Sequence, residues 1–134
     1  MTTRGDVGGQ PRGGPTVEAV DVSRVYRLEG AEVRALRGVS LEIHPGEFVA
    51  VVGPSGSGKS TLMHLVGCLD RPTEGRLRIG GRDVREMDDA ELATLRNRTI
   101  GFVFQSFQLL ARTTAVDNVA LPLVYRGVGR RERR

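Results

Sequence analysis

The sequence predicts an α/β fold, and three consecutive stretches of the chain support that prediction. Residues 48–52 form an apolar run rich in β-branched side chains, which is typical of a strand buried on both faces of a parallel sheet. The glycine-rich stretch 53–61 follows, and residues 60–69 contain few helix breakers. A strand, a tight turn and a helix therefore form the unit around which we expect the domain to fold.

The glycine-rich stretch has the composition and spacing of a phosphate-binding loop. It fits the pattern G-x-x-x-x-G-K-[ST], because glycines at 53 and 58 precede Lys59 and Ser60. Glycines bring backbone N–H groups within reach of phosphate oxygens, and the helix that follows adds its positive dipole end. The alternative is a glycine-serine turn that matches the pattern by chance. The residues predicted to bind a nucleotide are Gly53, Pro54, Ser55, Gly56, Ser57, Gly58, Lys59, Ser60 and Thr61.

Three side chains in this stretch have distinct predicted roles. We expect Lys59 to hold its ammonium near the β- and γ-phosphates, where it would be catalytic, and the Ser60 hydroxyl to bind Mg2+. Thr61 is expected to contact the α-phosphate side. Lys59 is also the only lysine among the 20 basic residues. Lysine therefore occurs only where a slim ammonium fits and a forked guanidinium would not.

The composition indicates one globular domain and excludes several other classes. The chain has 134 residues, of which 27% are charged and 39% are hydrophobic. Its net charge of +4 comes from arginines spread along the chain, and with 4% aromatic residues it offers no stacking platform for nucleic acid. The single cysteine, Cys68, excludes an intrachain disulfide and is expected to be a small buried apolar residue. Because the sequence shows no signal segment and no membrane-spanning stretch, we expect a cytosolic protein that reaches a membrane only through a partner.

Turn residues and hydrophobic periodicity predict the remaining elements. Residues 1–15, rich in glycine and proline, are expected to be a disordered tail. Asp88 and Glu91 have the spacing of a capping box at the start of a helix. The predicted strands are 16–26, 33–43, 76–79 and 99–104, the predicted turns or loops are 29–32, 44–46, 70–75 and 80–81, and the predicted helices are 88–96 and 113–121, next to Pro122.

Together these motifs resemble the ATP-binding subunit of ABC transporters, with a match from Val17 to about Arg134. Tyr26 matches the aromatic residue of the family's A-loop, which stacks on adenine, whereas the alternative is an ordinary tyrosine at a strand end. Residues 100–105 match the Q-loop, whose glutamine, Gln105 here, contacts the metal and the water region and is counted as catalytic. The resemblance implies that residues 16–134 form part of a P-loop NTPase fold of the ABC type, with an antiparallel β subdomain and part of the parallel core sheet.

Three shorter stretches, at 67–72, 104–110 and 117–123, resemble the group that contains macrolide exporters and lipoprotein-releasing complexes. The resemblance implies ATP and Mg2+ as cofactors. It also implies a transmembrane permease subunit and a second nucleotide-binding domain as partners, and a position on the cytoplasmic face of the cell membrane. It does not indicate which substrate is moved.

The family pattern is incomplete in this sequence. No four apolar residues are followed by Asp-Glu, so the Walker B carboxylates that hold Mg2+ through water and polarise the attacking water are missing. Residues 7–10 lack the serine of the signature motif, and neither His44 nor His64 suits the switch histidine. We therefore expect roughly the first three-fifths of such a domain. Because the strand predicted at 48–52 would have unpaired edges, we also predict marginal stability and aggregation.

Three functions remain open from the sequence. The first is the ATP-binding subunit of an export or lipoprotein-release transporter, which couples ATP binding and hydrolysis to transport. The second is a different phosphate-loop enzyme, such as a small kinase, although the sequence after Gly75 fits the transporter pattern instead. The third is a nucleotide-binding fragment without hydrolysis, or a remnant that at most interacts with a partner.

Overall fold

The computed structural model of the protein describes residues 3–4, 13–106 and 108–133. Most of the predicted tail, including residues 7–10, lies outside the described residues, as do Phe107 and Arg134. The chain divides into two compact units, Met1–Leu92 and Ala93–Arg134. The elements in chain order are β1 (Thr3–Arg4), β2 (Val17–Leu28), β3 (Ala31–Ile43), β4 (Val49–Ala50), α1 (Lys59–Val66), β5 (Glu74–Ile79), β6 (Arg82–Asp83), α2 (Asp89–Thr99) and α3 (Ala115–Tyr125).

The first unit is built on an antiparallel sheet in the order β3-β2-β5-β6. β2 and β3 form a long hairpin that turns at Glu29 and Gly30, and Gly30 has a φ of +82° there. β5 pairs with the other side of β2, and a turn at Gly80 and Gly81 leads into β6. The strands predicted at 16–26, 33–43 and 76–79 are confirmed, and the hairpin strands extend further into the turn than predicted.

The β2–β3 hairpin contains register shifts between Ala19 and Val25. Two serine hydroxyls bridge the strands beside the shifts. The Asp21 N–H donates to Ser40 Oγ at 2.9 Å, and the Gly38 N–H donates to Ser23 Oγ at 2.9 Å. Because the side chains satisfy backbone donors that a shifted ladder leaves unpaired, the hairpin continues through the irregularity.

The core of the first unit lies between the sheet and α1, which contacts β3 and β5. Leu65 of α1, Val22 of β2 and Leu77 of β5 are buried, and so is Cys68, as predicted. The helix predicted at 60–69 is confirmed but shorter, because Gly67 ends it and Cys68 has a φ of +53°. The sheet and helix thus hold the glycine-rich stretch at the N-terminus of α1.

The strand predicted at 48–52 is largely wrong. Only β4 is a strand, and it pairs antiparallel with β1. Phe48 is 88% exposed and Val52 is 55% exposed, so the run is not buried on both faces. All strand pairs of the described residues are antiparallel, and the parallel part of the expected core sheet is not formed there. Since a strand needs a neighbour for its N–H and C=O groups, an apolar run without one stays irregular and exposed.

The capping box at the start of α2 is confirmed. The Glu91 N–H donates to Asp88 Oδ1 at 2.8 Å, and the Asp88 N–H donates to Glu91 Oε2 at 3.0 Å. Each side chain therefore satisfies a backbone donor that the helix leaves unpaired. The helix continues three residues beyond the predicted end, to Thr99.

In the second unit, the strand predicted at 99–104 is wrong. Residues 100–104 are irregular, and the Phe102 and Phe104 rings stack on each other with centroids 5.5 Å apart. As at 48–52, the run stays irregular because no neighbouring strand pairs with it in the part of the chain that the structure describes.

Helix α3 begins after Thr114, whose hydroxyl accepts from the Asp117 N–H at 3.1 Å. The helix predicted to start within 113–121, near Pro122, is confirmed, and Pro122 lies inside it. Proline removes one hydrogen bond without ending the helix here, since the chain on both sides remains helical. None of the helices in the described ranges has the length and apolar character needed to cross a membrane.

Candidate functional site

The glycine-rich stretch forms a tight loop in front of α1. The Ser57 N–H donates to the Pro54 carbonyl oxygen at 3.3 Å, and Gly56 between them has a φ of +78°. A left-handed residue at the third position of a turn is a conformation that glycine adopts without steric cost. The loop is exposed from Gly53 to Ser57, so its backbone is accessible to a ligand.

Gly58 joins the loop to the sheet. Its φ is +89°, and a Cβ atom added to it would overlap the carbonyl oxygen of Ala35 and lie 2.8 Å from Leu36 Cδ2. Ala35 and Leu36 belong to β3, so the hairpin forms the support against which the loop turns into the helix. A glycine at 58 is therefore required by both conformation and close packing.

The first turn of α1 leaves its donors open. Gly58 is the N-cap residue and has no side chain to accept from the first backbone N–H groups. No acidic residue lies in the first turn, so the positive end of the helix is not neutralised locally. A helix start of this kind attracts an anion that can accept several backbone hydrogen bonds.

The Lys59 side chain folds back over the loop. Its Nζ donates to the Pro54 carbonyl oxygen at 2.7 Å and lies 3.5 Å from Ser57 Oγ. These two contacts keep the ammonium beside the loop instead of extended into solvent, and the residue as a whole is half-buried. One full positive charge and the open helix N-terminus thus act on the same small volume, which is the electrostatic arrangement expected for phosphate.

Ser60 and Thr61 occupy the next two positions of α1, with Ser60 exposed and Thr61 half-buried. A serine hydroxyl is a suitable oxygen ligand for Mg2+, but one hydroxyl does not make a site. The described residues contain no group of three or more His, Cys, Asp or Glu side chains that could hold a metal. The binding of Mg2+ by Ser60 therefore stays a prediction.

Tyr26 lies in β2 and is half-buried. It pairs with Val33 of β3, two residues from Ala35, whose carbonyl oxygen adjoins Gly58. The hairpin thus places Tyr26 near the strand position that supports the loop. Its hydroxyl donates to Asp70 Oδ2 at 2.9 Å, and the Arg24 guanidinium lies over its ring, 4.6 Å from the centroid.

Gln105 belongs to the second unit, where it follows the stacked Phe102 and Phe104 in an irregular, exposed segment. It is not at the end of a strand, because the predicted strand before it is not formed. The role of Gln105 beside the metal therefore stays a prediction.

Sequence reasoning missed the residues that support the site. Ala35 contacts the loop through its backbone, so its side chain gives no signal in the sequence. Tyr26 is contacted by Arg24 from the same strand and by Asp70 from 44 positions away, and Thr73 contacts Arg24. No local sequence pattern connects these residues. Only the alternation of β2, which puts Arg24 and Tyr26 on one face, could have indicated part of this cluster.

Comparisons with known proteins identify the family. A family profile described as ABC transporter matches residues 36–134. The chain is 57% identical over 118 residues to an uncharacterized ABC transporter ATP-binding protein of Thermotoga maritima, a match that covers 88% of this chain and 50% of the relative. It is 58% identical over 120 residues to the macrolide export ATP-binding/permease protein MacB of Hyphomonas neptunium, covering 90% of this chain and 19% of that relative.

A solved structure has the same fold. It is an ATP-binding cassette in a dimeric post-hydrolysis state bound to ADP and Pi, and it matches with a TM-score of 0.79 and 44% identity over 87% of this chain and 52% of that chain. The chain spans about half the length of this cassette and of the Thermotoga relative. With a family profile that extends over most of its residues and a cassette of the same fold, the chain belongs to the ABC transporter family, as part of its ATP-binding domain.

Proposed function

We propose that this chain binds MgATP and forms part of the ATP-binding subunit of an export or lipoprotein-release transporter. The observation that carries the proposal is the position of Lys59 Nζ, 2.7 Å from the Pro54 carbonyl oxygen and beside the open N-terminus of α1. Backbone donors and one ammonium converge there without a competing carboxylate in the first turn. The phosphates of a nucleoside triphosphate supply the negative charge that would balance these donors and the ammonium.

Each residue of the loop has a role in the proposal. Residues 53–58 donate backbone hydrogen bonds to phosphate oxygens, Lys59 neutralises charge near the β- and γ-phosphates, and Thr61 contacts the α-phosphate side. Ser60 holds Mg2+, which neutralises phosphate charge when it is bound. Tyr26 stacks on the adenine ring.

We propose further that this chain alone binds ATP without turning it over. The sequence contains no apolar run followed by Asp-Glu, so it lacks the carboxylate that would polarise the attacking water. Lys59 can stabilise negative charge on the phosphates, but it does not remove the proton from the attacking water. Hydrolysis coupled to transport is proposed for an assembly that supplies those carboxylates.

The partners in the proposal are a second nucleotide-binding domain and a transmembrane permease. The solved cassette with the same fold is dimeric, and the Hyphomonas relative is named an ATP-binding/permease protein. These likenesses support a chain that acts on the cytoplasmic face of the cell membrane through a permease subunit.

Binding of a fluorescent ATP analogue, with phosphate release measured in parallel, tests the proposal. We expect saturable Mg2+-dependent binding by the chain, a loss of at least about tenfold in affinity for Lys59→Ala, and no phosphate release above background. Arg82→Ala serves as the matched control, because it removes one positive charge from β6, outside the loop, and should leave binding unchanged. Binding that does not depend on Lys59 would refute the phosphate site, and turnover by the pure chain would refute the lack of a catalytic base.

A further inference from the structure

Two side chains converge on one oxygen of Asp70. The Tyr26 hydroxyl donates to Asp70 Oδ2 at 2.9 Å, and Arg24 Nε donates to the same oxygen at 2.8 Å. The Arg24 and Asp70 side chains are 24% and 23% exposed, so water competes only weakly for this carboxylate. Hydrogen bonds to an ionised acceptor in such a setting are short and directional.

Arg24 also restrains the ring of Tyr26. Its guanidinium lies 4.6 Å from the ring centroid, which is within the range of a cation–π contact. A further contact, from Arg24 Nη1 to Thr73 Oγ1 at 3.3 Å, helps fix the guanidinium. Tyr26 is therefore held at two points, its hydroxyl by Asp70 and one ring face by Arg24.

The position of Asp70 is set by the end of α1. The Leu69 N–H donates to the His64 carbonyl oxygen at 2.9 Å and the Cys68 N–H to the Leu65 carbonyl oxygen at 2.9 Å, with Cys68 at a φ of +53°. These two bonds and the left-handed residue form a Schellman motif, which ends the helix and turns the chain. Asp70 follows immediately.

The other carboxylate oxygen of Asp70, Oδ1, also accepts a hydrogen bond. The Arg71 N–H donates to Asp70 Oδ1 at 2.7 Å, which fixes the carboxylate relative to its own backbone. The Thr73 N–H then donates to the Ser23 carbonyl oxygen at 2.9 Å, so the segment after α1 is joined to β2 beside Tyr26. Asp70 thus connects the helix that carries the phosphate loop to the strand that carries the aromatic ring.

We propose that Asp70 and Arg24 are positioning residues for Tyr26, and that they hold its ring with one face covered by Arg24 and the other directed to a nucleobase. The inference rests on the proposed function, since it requires Tyr26 to stack on the base. A ring fixed before binding loses less rotational freedom when the base stacks on it. Asp70 and Arg24 thereby increase the affinity for the base without touching the nucleotide.

The test separates base recognition from phosphate recognition. Affinities for ATP and for inorganic tripolyphosphate are measured by competition with a fluorescent ATP analogue, for the full chain and its variants. Tyr26→Ala is expected to lower the affinity for ATP about tenfold and to leave the affinity for tripolyphosphate within about twofold. Asp70→Ala and Arg24→Ala are expected to lower the affinity for ATP about three- to tenfold, again without affecting tripolyphosphate.

The double variant Tyr26→Ala/Asp70→Ala provides the decisive comparison. If Asp70 acts through Tyr26, its loss has no further effect on ATP affinity once the ring is absent. A further loss in the double variant, or an equal loss for ATP and tripolyphosphate in Asp70→Ala, would overturn the proposal. Tyr26→Phe, which keeps the ring and removes only the hydroxyl, provides a milder variant that should show a smaller loss of ATP affinity in the same direction.

Two further variants distinguish this proposal from the proposed function itself. Lys59→Ala should lower the affinity for both ATP and tripolyphosphate. If it lowers neither affinity, both proposals fail. If Lys59→Ala weakens the binding of both ligands but Tyr26→Ala changes neither affinity, the positioning proposal fails together with the stacking role of Tyr26, whereas the proposed phosphate site stands. Glu18→Ala is the matched structural control, because it breaks another partly buried ion pair of the sheet, Glu18 with Arg78 at 3.3 Å, and should alter neither affinity.

Discussion

The backbone of Gly58 lies so close to the carbonyl oxygen of Ala35 that a Cβ atom at position 58 would overlap that oxygen. Two features of the molecule therefore determine the conformation of the phosphate loop. Its own glycines permit the left-handed turns, and the β2–β3 hairpin fixes where the loop must turn into α1. The local sequence and β3, a strand more than twenty positions earlier, thus both constrain the backbone of Gly58.

Gly58→Ala is expected to destabilise the first unit by about 3 kcal/mol, because it combines a left-handed φ with a steric overlap against backbone. Gly56→Ala is the matched comparison. Gly56 has a φ of +78°, but nothing lies within 4 Å of an added Cβ. Its expected cost is only the conformational one, about 1–2 kcal/mol. Urea denaturation followed by circular dichroism measures both values, and equal costs would show that the Ala35 contact is relieved by movement.

Lys59→Arg is expected to lower the affinity for the ATP analogue almost as much as Lys59→Ala, by about tenfold, although it keeps the charge. The ammonium lies between the Pro54 carbonyl oxygen and Ser57 Oγ, and a planar, forked guanidinium does not reproduce the contacts of this compact point charge. Fluorescence titration gives the affinity, and the denaturation midpoint reports whether the fold is intact. Near-normal binding by the arginine variant would mean that only the charge matters at this position.

Asp88→Ala is expected to destabilise α2 by about 1 kcal/mol, because it removes the side chain that accepts from the Glu91 N–H at 2.8 Å. The double variant with Glu91→Ala should cost less than the sum of the single changes, since the two side chains cap the helix reciprocally. Denaturation midpoints of the two single variants and the double variant test this coupling. Glu29→Ala, an exposed change in the hairpin turn, is the control. If the stability losses of the two single variants add up to that of the double variant, the two side chains do not act as a capping box.

Aggregation of the isolated chain is expected from its exposed apolar side chains. Phe48 is 88% exposed and Val103 is fully exposed, and neither run pairs with a parallel neighbour among the described residues. Heating should raise light scattering and leave incomplete recovery on cooling, and Phe48→Ser should delay the onset. Leu65→Ser is the contrasting control, because it removes a fully buried side chain and should hasten aggregation. A soluble monomer that unfolds cooperatively and reversibly would contradict this prediction.

Several features of the fold could be predicted because they depend on residues close together in the chain. The turn at Gly56, the helix that begins at Lys59 and the reciprocal bonds of Asp88 and Glu91 each involve groups within a few positions. Their energies come from backbone conformation and local hydrogen bonds, which the residue types specify directly.

The runs at 48–52 and 99–104 could not be assigned in this way. Their apolar side chains indicate strands, but a strand forms only against a neighbour that accepts its hydrogen bonds. Only a short pairing of β4 with β1 is seen in the first run, and the second is irregular in the part of the chain that the structure describes. In these two runs, pattern alone therefore predicted more β-structure than the described residues form.

The sequence by itself determined the phosphate-loop motif, the family resemblance and the local conformations of the loop, because fixed spacing of glycine, lysine and serine is enough to specify them. Only the tertiary structure decided what supports the site. Ala35 reaches Gly58, and Asp70 reaches Tyr26 from 44 positions away, through contacts that depend on how the sheet and α1 pack. Such contacts are set by the three-dimensional arrangement of distant segments, and no periodicity within one segment encodes them.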